Sequence, residues 1–133
     1  MIGAVIITHG GLGVALVEAA EIITGKAERI QMVTVTGSDA PDGLRERIAA
    51  AVNQVNDGKG VVVFTDMFGG TPTNIALSFL DAGKVDILTG VNLPILIKFL
   101  GHRAEKTLTE LTLLLKEYGR TSIVLAGDML KEK

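Results

Sequence analysis

The sequence predicts an α/β domain with an open, mostly parallel β-sheet and helices on both faces. Along the 133 residues, short apolar runs alternate with amphipathic stretches of helical periodicity. The runs lack polar–apolar alternation, as expected of strands buried on both sides. Hydrophobic residues make up 47% of the chain, and there are 16 glycines, which is typical of a folded, turn-rich protein. The length predicts one domain, residues 1–133.

Five strands are predicted from the apolar runs. Turns rich in glycine, aspartate or proline separate them from helical patterns, and strands that alternate with helices form right-handed parallel units. Whether the last strand is parallel or antiparallel stays open. The predicted strands cover residues 2–8, 30–36, 61–65, 85–89 and 121–126.

Five helices are predicted. The third begins at Pro72 with Thr71 as its N-cap and ends near Gly83, because proline suits a first helical turn and threonine accepts a bond from a free N–H. The fourth helix repeats this arrangement, with Asn92 as its predicted cap and Pro94 in its first turn. The fifth covers residues 104–118. The core-facing side chains are predicted to be Leu12, Ala15, Leu16, Ala19, Ile22 and Ile23 in the first helix, and Leu44, Ile48, Ala51, Val52 and Val55 in the second.

Charge and composition exclude several classes of function. The formal net charge is −2, so the chain lacks the basic surplus that binds nucleic acid. Cysteine is absent, which removes disulfides and thiolate sites and fits a reducing compartment. No apolar stretch approaches the roughly 18 residues of a membrane span, and the N-terminal run lacks the basic region of a signal peptide. We therefore expect a cytoplasmic protein without membrane insertion.

Two strand ends carry ionisable residues. His9 ends the first strand and Asp66 follows the third, and glycines and a predicted helix come after each. Ligands of open α/β sheets bind outside the carboxyl ends of the strands, where the strand order reverses. If the first and third strands flank that point, His9 and Asp66 face one crevice.

This pairing suits a histidine that accepts and passes on a phosphoryl group. A carboxylate on one imidazole N–H fixes the tautomer and stabilises the cation that forms when the other nitrogen reacts. Backbone N–H groups at helix N-termini bind anions. The residues alone leave alternatives open: a structural histidine, a capping aspartate, plain glycine turns, or a weak metal site at His9 and Asp66. The candidate phosphate cradle comprises Gly10, Gly11, Gly69, Gly70 and Thr71.

Several competing motifs are missing from the sequence. It has no P-loop pattern, the glycines after His9 do not fit the dinucleotide-binding fingerprint, and no G-x-S-x-G elbow is present. A receiver domain needs an acidic pair after the first strand, whereas this chain has Thr8 and His9 there.

Three motifs, in order and at the ends of strands one, three and four, resemble the mannose-family IIA domain of the bacterial phosphoenolpyruvate-dependent sugar phosphotransferase system (PTS). They are residues 6–10 (Ile-Ile-Thr-His-Gly), 66–74 (Asp-Met-Phe-Gly-Gly-Thr-Pro-Thr-Asn) and 90–94 (Gly-Val-Asn-Leu-Pro). The resemblance spans most of the chain. It implies that His9 is phosphorylated, that Asp66 hydrogen-bonds its imidazole, and that the hydroxyl of Thr71, where members often have serine, helps to hold the phosphoryl group.

The resemblance also implies partners. The donor would be phospho-HPr, the acceptor a IIB domain that hands the phosphoryl group on for uptake of a mannose-, fructose- or sorbose-type sugar, and no metal or cofactor would take part. A homodimer would form by exchange of the last strand, residues 121–126, and recruitment to a membrane permease complex would follow. Because many members continue into a IIB domain and this chain does not, we expect a separate IIB protein. A stand-alone regulatory phosphoacceptor and the phosphoryl-donor subunit of dihydroxyacetone kinase remain as alternatives.

Overall fold

The computed structural model describes residues 1–67 and 69–131, which form alternating strands and helices followed by three consecutive helices. None of the helices in the described ranges is long and apolar enough to cross a membrane. The elements are β1 (Gly3–His9), α1 (Leu12–Thr24), β2 (Ile30–Val35), α2 (Pro41–Val55), β3 (Val61–Thr65), α3 (Gly70–Leu77), β4 (Val85–Thr89), α4 (Leu93–His102), α5 (Leu108–Thr121) and α6 (Ala126–Lys131).

The four strands form one sheet in the order β2-β1-β3-β4, and every neighbouring pair is parallel. Residues of β1 alternate between the two faces, and both faces are buried, because Val5 and Ile7 enter one core while Ala4 and Ile6 enter the other. The predicted parallel α/β architecture is confirmed. Strand order reverses between β1 and β3, which creates a crevice at their carboxyl ends.

Helices cover both faces of the sheet. One core lies under α1, α4 and α5 and is centred on Phe64 and Phe99, whose rings meet edge to face at 5.5 Å. The other lies under α2 and α3. The predicted inward face of α2 is confirmed, since Leu44, Ile48, Ala51, Val52 and Val55 are all buried there.

The predicted inward face of α1 is wrong for most of its residues, although Leu16 is half-buried against the core as predicted. The helix buries Gly13, Val17 and Ala20 instead, and Leu12, Ile22 and Ile23 lie exposed. Apolar side chains occupy several faces of this helix, so their periodicity alone could not identify the buried face. Small residues on that face let the helix approach the sheet closely. Gly13 shows this close approach, because a Cβ atom there would meet the Oγ1 of Thr8 at 3.0 Å.

The termini of α3 also differ from the prediction. The helix begins at Gly70 with Gly69 as its N-cap, no side chain caps it, and it ends at Leu77. Thr71 therefore lies inside the first turn and is not the cap. The reason is that Gly69 has φ of 94° and Gly70 has φ of 79°, a conformation that glycine adopts readily, so the turn into the helix is made two residues earlier.

The predicted fifth strand, residues 121–126, does not form in the single chain. The helix α5 continues to Thr121, an irregular segment follows, and α6 begins at Ala126. A strand requires a neighbouring strand to pair its N–H and C=O groups, and within the described part of this single chain the segment pairs with neither edge of the sheet. Its apolar side chains stay exposed; Ile123 is 82% accessible.

Candidate functional site

His9 and Asp66 lie side by side at the carboxyl edge of the sheet. The strands β1 and β3 pair in parallel with Ile7 opposite Thr65, so the residues that follow leave the sheet as neighbours. Nδ1 of His9 lies 2.8 Å from Oδ2 of Asp66, and the backbone N–H of His9 donates to the same oxygen at 2.9 Å. The sheet register thus brings together two residues 57 positions apart.

This contact determines which imidazole nitrogen keeps a free lone pair. A carboxylate oxygen accepts hydrogen bonds, so the neutral imidazole carries its proton on Nδ1 and leaves the lone pair on Nε2. The side chain of His9 is 55% exposed, whereas that of Asp66 is only 12% exposed. The imidazole is therefore open to a second molecule while the group that orients it is sheltered.

The electrostatics of Asp66 favour its ionised form. Burial raises the pKa of this carboxyl, but the hydrogen bonds from the backbone and imidazole of His9 lower it, and the pKa lies below its ordinary value. Asp66 is therefore a carboxylate at neutral pH, which is the form that holds Nδ1–H and stabilises an imidazolium.

The loop between β1 and α1 is fixed by its own bonds. The backbone N–H of Gly10 donates to the carbonyl of Val35 at the end of β2, and the N–H of Gly13 donates to Oγ1 of Thr8 at 2.7 Å. Gly10 has φ of +57°, which lets the chain leave the strand sharply. These bonds place His9 at the mouth of the crevice directly before α1.

A cleft of about 270 Å³ joins His9 to Thr71. Its other wall is the connection between β2 and α2, where Asp39 accepts a bond from the N–H of Thr36 at 2.7 Å. Sequence reasoning missed this wall. The signal was available, because β2 ends at the same edge of the parallel sheet as β1. The cleft is lined by His9, Val35, Thr36, Gly37, Asp39, Pro41, Leu44, Thr71 and Pro72.

The other predicted cradle residues, the glycines at positions 10, 11, 69 and 70, are not among the residues that line this cleft, although they adjoin His9 and Thr71 in the chain. Gly11 is the N-cap of α1, and Gly69 and Gly70 open α3. Both helix N-termini thus follow the strands that carry His9 and Asp66. Asn92 caps α4 as predicted, accepting a bond from the N–H of Ile95 at 2.9 Å.

A larger cleft, of about 620 Å³, lies at the opposite end of the sheet. Its buried cation, Arg103, donates to the backbone carbonyls of Ile2, Glu28 and Arg29, and burial lowers its pKa. A guanidinium that donates to three carbonyls ties chain segments together and has few N–H groups left to donate to an anion. Within residues 1–67 and 69–131, no three His, Asp or Glu side chains are grouped as a metal ion would require.

Comparison with known proteins identifies the family. The family described as "PTS system fructose IIA component" matches residues 3–114. The chain belongs to this family. It is thus a IIA component of the mannose/fructose branch of the phosphotransferase system, a phosphoryl-transfer component of PTS sugar transport.

Individual relatives of this IIA chain agree with the assignment. It is 31% identical to the PTS fructose-specific EIIA component of Bacillus subtilis (strain 168), over 99% of this chain and 91% of that protein. It is 30% identical to the PTS mannose-specific EIIAB component of Escherichia coli (strain K12) over 92% of its length, but spans only 38% of that protein. A PTS IIA protein associated with a fucose utilization operon of Streptococcus pneumoniae superposes with a TM-score of 0.85 at 26% identity, covering 96% of this chain and 95% of that one.

Proposed function

We propose that this IIA chain, as one domain of residues 1–133, accepts a phosphoryl group from phospho-HPr on Nε2 of His9 and passes it to a separate IIB protein. The observation that carries the proposal is the 2.8 Å contact between Nδ1 of His9 and Asp66, which leaves Nε2 as the nucleophilic nitrogen of an exposed imidazole. The reaction would take place in the cytoplasm, where the phosphoenolpyruvate that feeds the system is made.

The transfer needs only the residues of the two proteins. The lone pair on Nε2 attacks the phosphorus, the bond from phosphorus to the donor imidazole breaks, and its electron pair returns to that imidazole. His9 becomes an N-phosphoimidazolium whose positive charge faces the Asp66 carboxylate. Transfer to the acceptor is the same kind of step, with phosphorylated His9 as the donor. Positioning and electrostatic stabilisation supply the catalysis in both transfers.

The phosphoryl oxygens would be held by the predicted cradle. Thr71 lines the same cleft as His9, and the N-termini of α1 and α3 favour negative charge. Gly11, Gly69 and Gly70 would offer backbone N–H groups. Gly10 already donates its N–H to Val35, so its part in the cradle is to make the turn.

Docking of a partner protein requires an apolar rim that excludes water. Met67 and Leu12 follow the two strand ends and are both largely exposed, which supports this requirement. Phe68, the apolar residue that follows Met67 in the sequence, lies outside the described residues.

We also propose that the chain is a homodimer in which residues 121–126 pair with the partner. The exposed segment Ile123, Val124 and Leu125 supports the proposal, because contiguous apolar side chains of this kind are seldom left in water. Part of the segment lies near β4, since Ile123 and Thr89 line one cleft.

The decisive experiment is phosphoryl labelling from phosphoenolpyruvate through the enzyme that phosphorylates HPr and HPr itself. The His9→Gln variant should take up no label, whereas the His102→Gln variant should label like the parent. His102 is the only other histidine and contacts Glu105 at the C-terminal end of α4. Full labelling of the His9 variant would refute the proposal.

The acceptor is tested separately. The phosphorylated chain should lose its label to a mannose- or fructose-type IIB protein. Stable label in the presence of such IIB proteins, together with discharge to a dihydroxyacetone kinase or phosphorylation-dependent binding of a regulator, would refute the IIB assignment and leave His9 as the phosphorylated residue.

A further inference from the structure

We infer that the buried hydroxyls of Thr65 and Thr73 are positioning groups of this site, because they hold the carbonyl of Met67 and thereby fix the turn that carries Asp66. The inference rests on the proposed function for its effect on phosphoryl transfer. Its structural part, the orientation of the His9 imidazole by Asp66, can be measured without any partner protein.

The two hydroxyls converge on one carbonyl oxygen. Thr73 donates to the carbonyl of Met67 at 2.7 Å, and Thr65 donates to the same oxygen at 3.3 Å. The two hydroxyl oxygens are themselves 3.5 Å apart. A carbonyl oxygen has two lone pairs, so this pair of donors uses its full capacity.

Both hydroxyls are deeply buried, Thr65 being 0% and Thr73 1% exposed. Burying a hydroxyl in a core costs free energy unless it is hydrogen-bonded, and valine would fill nearly the same volume without that cost. Thr65 ends a strand whose other residues, Val61, Val62, Val63 and Phe64, are all apolar. Packing alone therefore does not explain a hydroxyl at the end of β3 facing another on α3.

Asp66 needs such support because its own side chain is held on one side only. Oδ2 accepts both bonds from His9, while Oδ1 is buried and has no hydrogen-bond partner among the described residues. The chain after Met67 runs into Gly69 and Gly70, both with positive φ, and glycine restricts the backbone least. The bonds to the Met67 carbonyl tie this permissive segment to β3 and α3 one residue beyond Asp66.

The test uses ¹⁵N NMR of the imidazoles, of which the chain has only two. In the unphosphorylated parent at pH 8, the neutral His9 ring should be protonated on Nδ1. Thr73→Val should shift its population toward the tautomer protonated on Nε2, and Thr73→Ser, which keeps the hydroxyl, should restore the parent spectrum. Thr65→Val should produce a smaller shift in the same direction, because its bond is longer.

The matched control is Thr112→Val. Thr112 is also a buried threonine that donates to backbone carbonyls, those of Leu108 and Thr109, but it lies in α5. This variant should lose stability as Thr73→Val does and leave the His9 spectrum unchanged. In labelling by phospho-HPr, Thr73→Val should be slower by roughly tenfold, less than the hundredfold that a 1 Å misplacement can cost.

A folded Thr73→Val protein with the parent's His9 tautomer and labelling rate would overturn the inference, and so would an equal spectral change in Thr112→Val. If Thr73→Val does not fold, Thr65→Val and the serine variant decide the question by the same spectra. Absence of labelling in the parent would instead refute the proposed function, and the tautomer measurements would still stand.

Discussion

At the scale of single residues, the geometry of the site depends on one oxygen atom. Oδ2 of Asp66 accepts from both the backbone and the imidazole of His9, so the carboxylate fixes the position of the strand end as well as the tautomer of the ring. Thr71 does not cap α3 as predicted, but it does line the cleft beside His9.

The bonds from His9 predict how stability depends on pH. The pKa of Asp66 is lower in the folded chain than its unfolded value of about 4. A lowered pKa means that the carboxylate stabilises the folded state fully above that unfolded value and loses this contribution as the pH falls through the folded one. In urea unfolding, the stability advantage of the parent over Asp66→Asn should therefore be larger at pH 6 than at pH 3.

The control for this measurement is Asp128→Asn, an exposed aspartate on α6. Its difference from the parent should stay small across the same pH range. A parent advantage over Asp66→Asn that stays constant from pH 6 to pH 3 would contradict the assigned direction of the pKa shift.

At the scale of elements, local sequence signals predict the start of a helix correctly where a nearby side chain hydrogen-bonds the backbone of its first turn. Asn92 and Pro94 predict the start of α4, and the bond from Ile95 N–H to Asn92 confirms it. The start of α5 has a reciprocal capping box between Thr107 and Glu110, and these bonds lower the pKa of the Glu110 carboxyl. The predicted start of α5 at residue 104 was wrong, because helical periodicity locates the end of a helix less sharply than a capping box does.

The cap of α4 gives a stability prediction. Asn92→Ala removes the acceptor for the N–H of Ile95 and should lower the free energy of unfolding by about 1 kcal/mol. Asn92→Asp keeps an acceptor at the same place and should unfold close to the parent. Urea titration of both variants measures the difference, and equal losses in both would show that the asparagine contributes something other than its cap bond.

At the scale of the whole molecule, the exposed apolar side chains of the described residues include two groups beyond the rim of the His9 cleft. The end of α1 exposes Ile22 at 86%, and the segment before α6 exposes Ile123, Val124 and Leu125. The family resemblance implies exchange of the last strand between subunits, and the second group belongs to that segment. Only the second group therefore takes part in the proposed dimer.

The proposed dimer predicts a change in mass. By light scattering after size-exclusion chromatography, the parent should have twice the mass of one chain. Replacing Val124 and Leu125 by aspartate should give monomers with the parent's far-ultraviolet circular dichroism. The matched control is Leu113→Asp, which changes an exposed apolar residue of α5 and should leave the mass unchanged. A monomeric parent would refute the dimer.

The sequence by itself determined the residue types and the local order that make a phosphoryl-transfer site conceivable. Apolar runs and turn residues placed His9 and Asp66 at the ends of two strands, and the motifs around them pointed to the family, because these features depend on neighbours along the chain. The same local reasoning found the inward face of α2, whose apolar residues keep to one stripe.

Only the tertiary structure decided which distant groups meet. Register between β1 and β3 set the 2.8 Å contact of His9 with Asp66, and the order of the sheet brought Asp39 and Thr36 opposite Thr71. Tertiary packing also determined which side of α1 is buried, and it leaves residues 122–125 without a strand partner in the single chain. Pairing and packing are relations between segments far apart in sequence, and no periodicity within one segment encodes its partner.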